Sequence, residues 1–260
     1  MGEAIKVLVT GAEGQLGRCL QKVAGNYPQI GFDFRDKSSL DVTTTEQIRE
    51  AFQKGGFDYC INAAAYTNVE EAELNPEQAY AVNADGVKIL ANACREFEVC
   101  LIHISTDYVF DGQKEGGYTT EDIPNPINVY GRSKWEGEKH IQELLVRYFI
   151  VRTSWLYSEY GDNFYKKILE KAKTQSVLYV TDAQTGCPTD TNHLASHLMQ
   201  LIVKGRKDYG IHHFTDGEEM SWHEFAYKIL QENRLETTVK IVRDNNYRSF
   251  ARRPVNSKLL

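Results

Sequence analysis

The chain has 260 residues, 42% of them hydrophobic and 25% charged, with a net charge of -6. That length holds one large α/β domain with a substantial core, plus a smaller annex. The acidic balance argues against nucleic acid or an anionic membrane as a partner. The first apolar stretch, Ile5–Val9, is too short for a signal segment or a membrane helix. The five cysteines (Cys19, Cys60, Cys94, Cys100, Cys187) are odd in number and lack a Cys-x-x-Cys pair. They fit a reducing cytoplasm better than a disulfide framework or a zinc site.

Short apolar runs alternate with amphipathic ones along the chain. The pattern predicts a strand over Ile5–Val9, a helix over Gln15–Ala24, a strand over Ile30–Phe34 and a helix over Thr45–Lys54. Thr43-x-x-Glu46 and Thr44-x-x-Gln47 are capping candidates for that second helix. A third strand follows at Asp58–Asn62, then one long helix over Pro76–Phe97 and a fourth strand at Cys100–Ser105. A helix over Tyr130–Leu145 and a strand at Phe149–Thr153 complete the series. Strands alternating with helices imply a Rossmann-like, doubly wound parallel sheet buried on both faces. Past about residue 154 the rhythm loosens. Helices are expected at Asn163–Lys173, Asn192–Val203 and from the capping box Ser221-Trp-His-Glu224 to Glu232. Short strands are expected near Val177–Val180, Ile211–Phe214 and Val239–Val242. The division read from this change is a dinucleotide-binding domain over 1–154 and a smaller, partly interleaved substrate-binding domain over 155–260.

Gly11-Ala-Glu-Gly14-Gln-Leu-Gly17 directly follows the first strand and opens a helix. Glycines there permit a tight turn, close approach of the backbone to a pyrophosphate, and helix–sheet contact. The helix N-terminus adds free N–H groups and partial positive charge. Asp33, at the end of the second strand, is placed to hold an adenosine ribose hydroxyl, whereas Arg35 suits a 2′-phosphate. The two point in opposite directions, so the choice between NAD and NADP stays open. Asp41 and Val42 are candidates for the adenine side. Ala63, Ala64 and Ala65 put small residues where backbone must run close to a flat cofactor, and tight helix–sheet packing would explain them nearly as well. Ile104, near the end of the fourth strand, is a further cofactor candidate.

The reacting groups stand in Val129-Tyr-Gly-Arg-Ser-Lys134, downstream of Ser105-Thr106. Tyr130 and Lys134 are four apart and share a helix face. A nearby ammonium favours tyrosinate, which makes the phenol a usable proton donor. Thr106, at the carboxyl end of a strand, is placed to hydrogen-bond a reacting oxygen. His193 and His197 share a helix face as zinc ligands do, but no glutamate or third ligand accompanies them, so no metal is expected.

Further stretches extend these motifs. They are Val9-Thr-Gly-Ala-Glu-Gly-Gln-Leu-Gly17, Asn62-Ala-Ala-Ala-Tyr-Thr-Asn-Val69, Ser105-Thr-Asp-Tyr-Val-Phe-Asp-Gly112 and Asn128-Val-Tyr-Gly-Arg-Ser-Lys134. Arg152-Thr-Ser-Trp-Leu-Tyr157, Gln184-Thr-Gly-Cys-Pro-Thr189 and Arg253-Pro-Val-Asn-Ser257 follow in order. Together they resemble the extended short-chain dehydrogenase/reductases, and within them the nucleotide-sugar reductases. The resemblance implies NADPH as cofactor, with NADH as the alternative, and a nucleotide-sugar substrate. It implies hydride transfer to the C4 ketone of dTDP-4-dehydro-β-L-rhamnose, with Tyr130 protonating the oxygen and Thr106 orienting the ketone. Lys134 would also grip the nicotinamide ribose. Gly14, Gln15 and Leu16 match the phosphate loop, and Ala65, Tyr66 and Thr67 later cofactor contacts. Asp107 and Trp155 would meet the sugar, and Arg253 the diphosphate. The resemblance further implies a terminal helix beyond Asn256-Ser257, where this sequence ends at Leu260, and pairing of two copies into a homodimer.

Two other readings compete. One is a 4,6-dehydratase or epimerase of the same superfamily. Dehydratases carry an acidic pair after the threonine, but Asp107 is followed here by Tyr108. The other is a non-catalytic subunit like the regulatory chain of methionine adenosyltransferase.

Overall fold

The computed structural model describes residues 4–260. In chain order, β1 (Ile5–Thr10), α1 (Gln15–Ala24), β2 (Ile30–Arg35), α2 (Thr45–Gly55) and β3 (Tyr59–Asn62) come first. Next are α3 (Val69–Leu74), α4 (Pro76–Tyr80), a π-helical turn (Ala81–Asp85), α5 (Gly86–Glu96), β4 (Cys100–Thr106), α6 (Val129–Leu144) and β5 (Tyr148–Thr153). The second half carries β6 (Leu156–Tyr157), α7 (Phe164–Ala172), β7 (Val177–Val180), β8 (Thr185–Gly186), β9 (Thr189–Asp190) and α8 (Thr191–Val203). It closes with β10 (Gly210–His213), β11 (Met220–Ser221), α9 (Trp222–Glu232) and β12 (Lys240–Arg243).

Six strands form one parallel sheet in the order β10-β5-β4-β3-β1-β2. Val7, Leu8 and Val9 of β1 are fully buried, because helices cover both faces of the sheet. On one face α1 and α8 pack through Leu16, Leu20, Leu198 and Ile202. On the other, α2, α5 and α6 pack through Ile48, Phe52, Leu90 and Ile141. All five cysteines are buried and free, and serve as packing. The segment from α8 to β10 thus returns to the large sheet. The remaining second-half elements build a smaller core around Ile168, Leu178, Phe225 and Ile229, where β7 pairs with β12.

Two local expectations fail. The helix expected over Pro76–Phe97 widens at Ala81–Asp85 into a π turn. There Asn83 accepts a hydrogen bond from the Tyr66 N–H (2.9 Å) and donates to the Tyr66 carbonyl (2.9 Å) and the Ser133 hydroxyl (3.0 Å). A Cβ at Gly137 would meet the Asn83 carbonyl oxygen at 2.2 Å, so α6 crosses the widened turn at its glycine. Thr44 is the N-cap of α2 but makes no side-chain cap bond, since the Gln47 side chain instead accepts from the Asp41 N–H at 3.0 Å. The Ser221–Glu224 capping box forms as expected.

Candidate active site

The strand-to-helix turn after β1 is close-packed. Gly11 has φ +68, and a Cβ there would lie 2.7 Å from the Ala63 backbone. A Cβ on Gly17 would lie 2.3 Å from the Gly11 carbonyl oxygen. Glycine is therefore required for contact, not flexibility alone. Gly14 is the N-cap of α1 and supplies no side-chain bond, so the first N–H groups of the helix remain available to an anion. Gln15 ties this loop to the second half: its Nε2 donates to Thr191 (3.0 Å) and its Oε1 accepts from Asn163 (2.8 Å). Gly17→Ala is expected to weaken nicotinamide-cofactor binding by about tenfold or more and to destabilise the fold by about 1–3 kcal/mol. Cofactor titration and thermal melting read the two effects, and unchanged affinity would remove the loop from the site.

Gly14, Gln15, Leu16, Ala63, Ala64, Ala65 and Thr67 open onto a cavity of about 520 Å³. Its far walls carry Ile104, Thr106, Asp107, Tyr130, Lys134, Trp155 and Arg253, so most of the candidates selected by sequence meet in one place. The reason is local packing. Asn128 caps α6 by accepting from the Gly131 N–H at 2.7 Å, and a Cβ on Gly131 would meet the Tyr108 carbonyl oxygen at 2.0 Å. That contact presses the first turn of α6 against the turn after β4, and so brings Tyr130 to Thr106.

The electrostatics differ in one respect from the expectation. Burial pushes the Tyr130 phenol well above its ordinary value, and Asp107 and Tyr108 add to the rise, while the Thr106 hydroxyl opposes it. Lys134 does not act on Tyr130 here. Its Nζ donates to the Ile104 carbonyl at 2.7 Å and lies 3.3 Å from His103 Nε2. Burial pulls the lysine down to about 8, with the Glu138 charge opposing. Burial likewise pushes Asp107 up to about 7, although it accepts a 3.0 Å hydrogen bond from Thr106.

The second half of the chain closes the opposite wall. Trp155, at φ +48, stacks flat on Trp222 with ring centroids 3.4 Å apart. A Cβ on Gly186 would meet the Trp155 ring at 2.7 Å, so the pair is seated on a glycine. Arg253 donates to Glu70 (2.8 Å) and to the Tyr108 hydroxyl (3.3 Å). Glu70 also accepts from the Ala251 N–H at 2.9 Å and anchors this segment. Arg253 Nε, Ser105 Oγ, Asp107 Oδ2 and Thr153 Oγ1 are buried without a protein partner. Buried polar atoms left this way on a cavity wall suit a polar ligand. Glu70, Tyr108, Asn163 and Trp222 escaped the sequence reading. Trp222 lies inside the capping box, Asn163 opens an expected helix and Tyr108 follows Asp107 in a motif, whereas Glu70 carries no local signal.

The remaining candidates lie elsewhere. Asp33 and Arg35 form a bidentate pair (2.6 and 3.0 Å) beside a separate depression of about 350 Å³. Asp41 accepts from Thr43, and Val42 is buried against Gly86. Tyr66 packs against the cluster of Ala72, Ala79 and Val129, its hydroxyl buried without a partner. His193 pairs with Asp216 at 2.9 Å and His197 stacks on Phe214. Among the described residues no group of three or more His, Cys, Asp or Glu is arranged to hold a metal. Nor is any helix long and apolar enough to cross a membrane.

Residues 5–260 match the family model described as the RmlD substrate binding domain. A dTDP-4-dehydrorhamnose reductase of Aggregatibacter actinomycetemcomitans is 42% identical over 98% of this chain and 90% of its own length. The chain belongs to the dTDP-4-dehydrorhamnose reductase family. The crystal structure of a dTDP-4-dehydrorhamnose reductase from Bacillus anthracis, in complex with NADP, has a TM-score of 0.94 to this protein. It is 38% identical, with 100% of this chain and 91% of that one covered. A dTDP-4-keto-6-deoxy-D-glucose reductase of Streptomyces niveus is 37% identical over 84% of this chain and 75% of its own.

Proposed function

We propose that this protein reduces dTDP-4-dehydro-β-L-rhamnose to dTDP-L-rhamnose with NADPH. The observation that carries the reading is a single cavity walled by the glycine turn, by Thr106, Tyr130 and Lys134, and by Trp155 and Arg253. The residues present fit the cofactor: glycine contacts leave no room for a Cβ beside the turn, and the α1 N-terminus faces the same space. When bound, NADPH supplies the hydride.

The chain's own groups do the rest. The Thr106 hydroxyl turns its proton from Asp107 to the ketone oxygen and aligns that oxygen with Tyr130. Tyr130 holds its proton through the neutral range, as its raised phenol requires, and releases it to the oxygen as negative charge develops there. Lys134, on the same face of α6, supplies hydrogen bonds to the cofactor ribose. Arg253, held by Glu70, meets the diphosphate as a planar donor. The Trp155–Trp222 stack gives the sugar a flat apolar wall and keeps water from the reacting carbon.

Dehydration is disfavoured by the residue after Asp107. Tyr108 stands where a dehydratase carries its second acid, and it is buried against Arg253. The deciding assay follows NADPH and NADH oxidation at about 340 nm with dTDP-4-dehydrorhamnose generated in situ. Sugar-dependent oxidation yielding dTDP-L-rhamnose is the expected result. Oxidation only with the 4-keto-6-deoxyglucose nucleotide would move the assignment to that sugar, and none with either would end the reductase reading.

A further inference from the structure

His103 lies on β4, fully buried, beneath the lysine that the proposed reaction uses. A chain of hydrogen bonds gives its ring a direction. The Ala64 N–H, which can only donate, points to Asn62 Oδ1 at 3.2 Å, and the Thr10 hydroxyl donates to the same oxygen at 2.7 Å. Asn62 is thereby oriented with its Nδ2 toward His103 Nδ1 at 3.0 Å. An amide nitrogen donates, so Nδ1 must accept, and the ring proton of the neutral imidazole resides on Nε2. That N–H faces Lys134 Nζ at 3.3 Å.

An ammonium has three donors and no acceptor, so Nε2–H and Lys134-NH₃⁺ would meet donor to donor. A neutral amine has a lone pair for the Nε2 proton and still donates to the Ile104 carbonyl at 2.7 Å. Charging the lysine in this arrangement requires the ring to change tautomer and Asn62 to turn over. The Ala64 N–H would then lose its nearer acceptor, a penalty of the kind buried donors carry.

We propose that His103 is a positioning residue that makes Lys134 a readily deprotonated acid: its Nε2–H, oriented through Asn62, favours the lone-pair form of the lysine. The inference rests on the assignment of Lys134 to the reductase site. Its consequence there is that Lys134 gives up a proton readily. It takes a proton from solvent, passes it as the ammonium to the Tyr130 phenolate left after each reduction, and returns to the amine.

Other charges face the lysine. Glu138 lies one turn along α6, held bidentately by Arg152 of β5, and favours the ammonium. Asp107 and Tyr130 border the same cavity. Burial and the Lys134 charge both drive His103 far below the ordinary histidine range, so the ring is neutral in the working range.

Two measurements on the free protein test this. The first is the ¹⁵N spectrum of the His103 ring. Pyrrole-type nitrogen at Nε2 and pyridine-type at Nδ1 is the expected result, and the reverse tautomer overturns the proposal. The second is the titration of Lys134 in protein labelled with ¹³C at lysine Cε, the signal assigned by its loss in Lys134→Met. The His103→Gln variant presents an amide that can turn its oxygen to the ammonium. The Lys134 midpoint is therefore expected to rise by about one pH unit, a tenfold change in the amine-to-ammonium ratio. An unmoved midpoint in a folded variant overturns the proposal, and should the variant not fold, the wild-type tautomer decides alone. Neither measurement uses the sugar, so a failed reductase assay leaves their outcome intact.

Discussion

Replacement of Tyr130 by phenylalanine is expected to lower turnover by about 10²–10⁴-fold while leaving NADPH affinity close to that of the parent protein. The substitution removes one hydroxyl and keeps the ring, which packs edge-on against Tyr108 with centroids 5.9 Å apart. The fold therefore loses little. What disappears is the group proposed to deliver a proton to the ketone oxygen. The residues proposed to bind the cofactor are those of the glycine turn and the alanines after β3, which line the same cavity. A fall in turnover with unchanged cofactor affinity separates proton delivery from binding. Turnover within a few-fold of the parent would remove Tyr130 from the chemistry, and a matched fall in affinity would make it a binding residue.

The second large effect concerns stability. Arg152 and Glu138 form an ion pair at 2.6 Å with side chains only 1% and 0% exposed. Arg152 also lies over the Phe110 ring, 5.1 Å from its centroid. Arg152→Met leaves the Glu138 carboxylate buried without its partner, and breaking one side of such a pair costs about 3–5 kcal/mol. At about 2–4 °C per kcal/mol for a chain of this size, melting is expected roughly 6–20 °C lower. Removing the other charge as well, in Arg152→Met with Glu138→Leu, eliminates the orphaned carboxylate. Much of the loss should then return. A double variant no more stable than Arg152→Met would show that packing around Arg152, not the unpaired charge, carries the stability.

The inner strands β1, β3, β4 and β5 stand out as short apolar runs, because they are largely buried on both faces and tolerate little else. The capping box at Ser221 was visible for the same reason, since its partners are three residues apart and need no tertiary context. The π turn at Ala81–Asp85 was not. Helical periodicity continues through it, and the widening answers to α6 crossing at Gly137. The expected lowering of Tyr130 by Lys134 was misjudged on similar grounds. Four-residue spacing puts both on one face, but Lys134 turns to His103 and Ile104 on β4.

By itself, the sequence determined the alternating α/β architecture, the glycine turn at the end of β1, and the Tyr130–Lys134 pair downstream of Thr106. Each of these is written in residues near one another in the chain, where backbone periodicity, steric demand for glycine and helix spacing act directly. Only the tertiary structure decided which distant groups complete them. Arg253 meets Glu70 across 183 positions, Asn163 reaches Gln15 across 148, and Trp155 finds Trp222. The protonation preference of Lys134 likewise depends on a histidine 31 positions away, itself oriented through Asn62 and Thr10 of two other strands. Such contacts leave no period or spacing in the sequence, because burial, hydrogen-bond direction and local dielectric exist only once the sheet has brought its strand ends together.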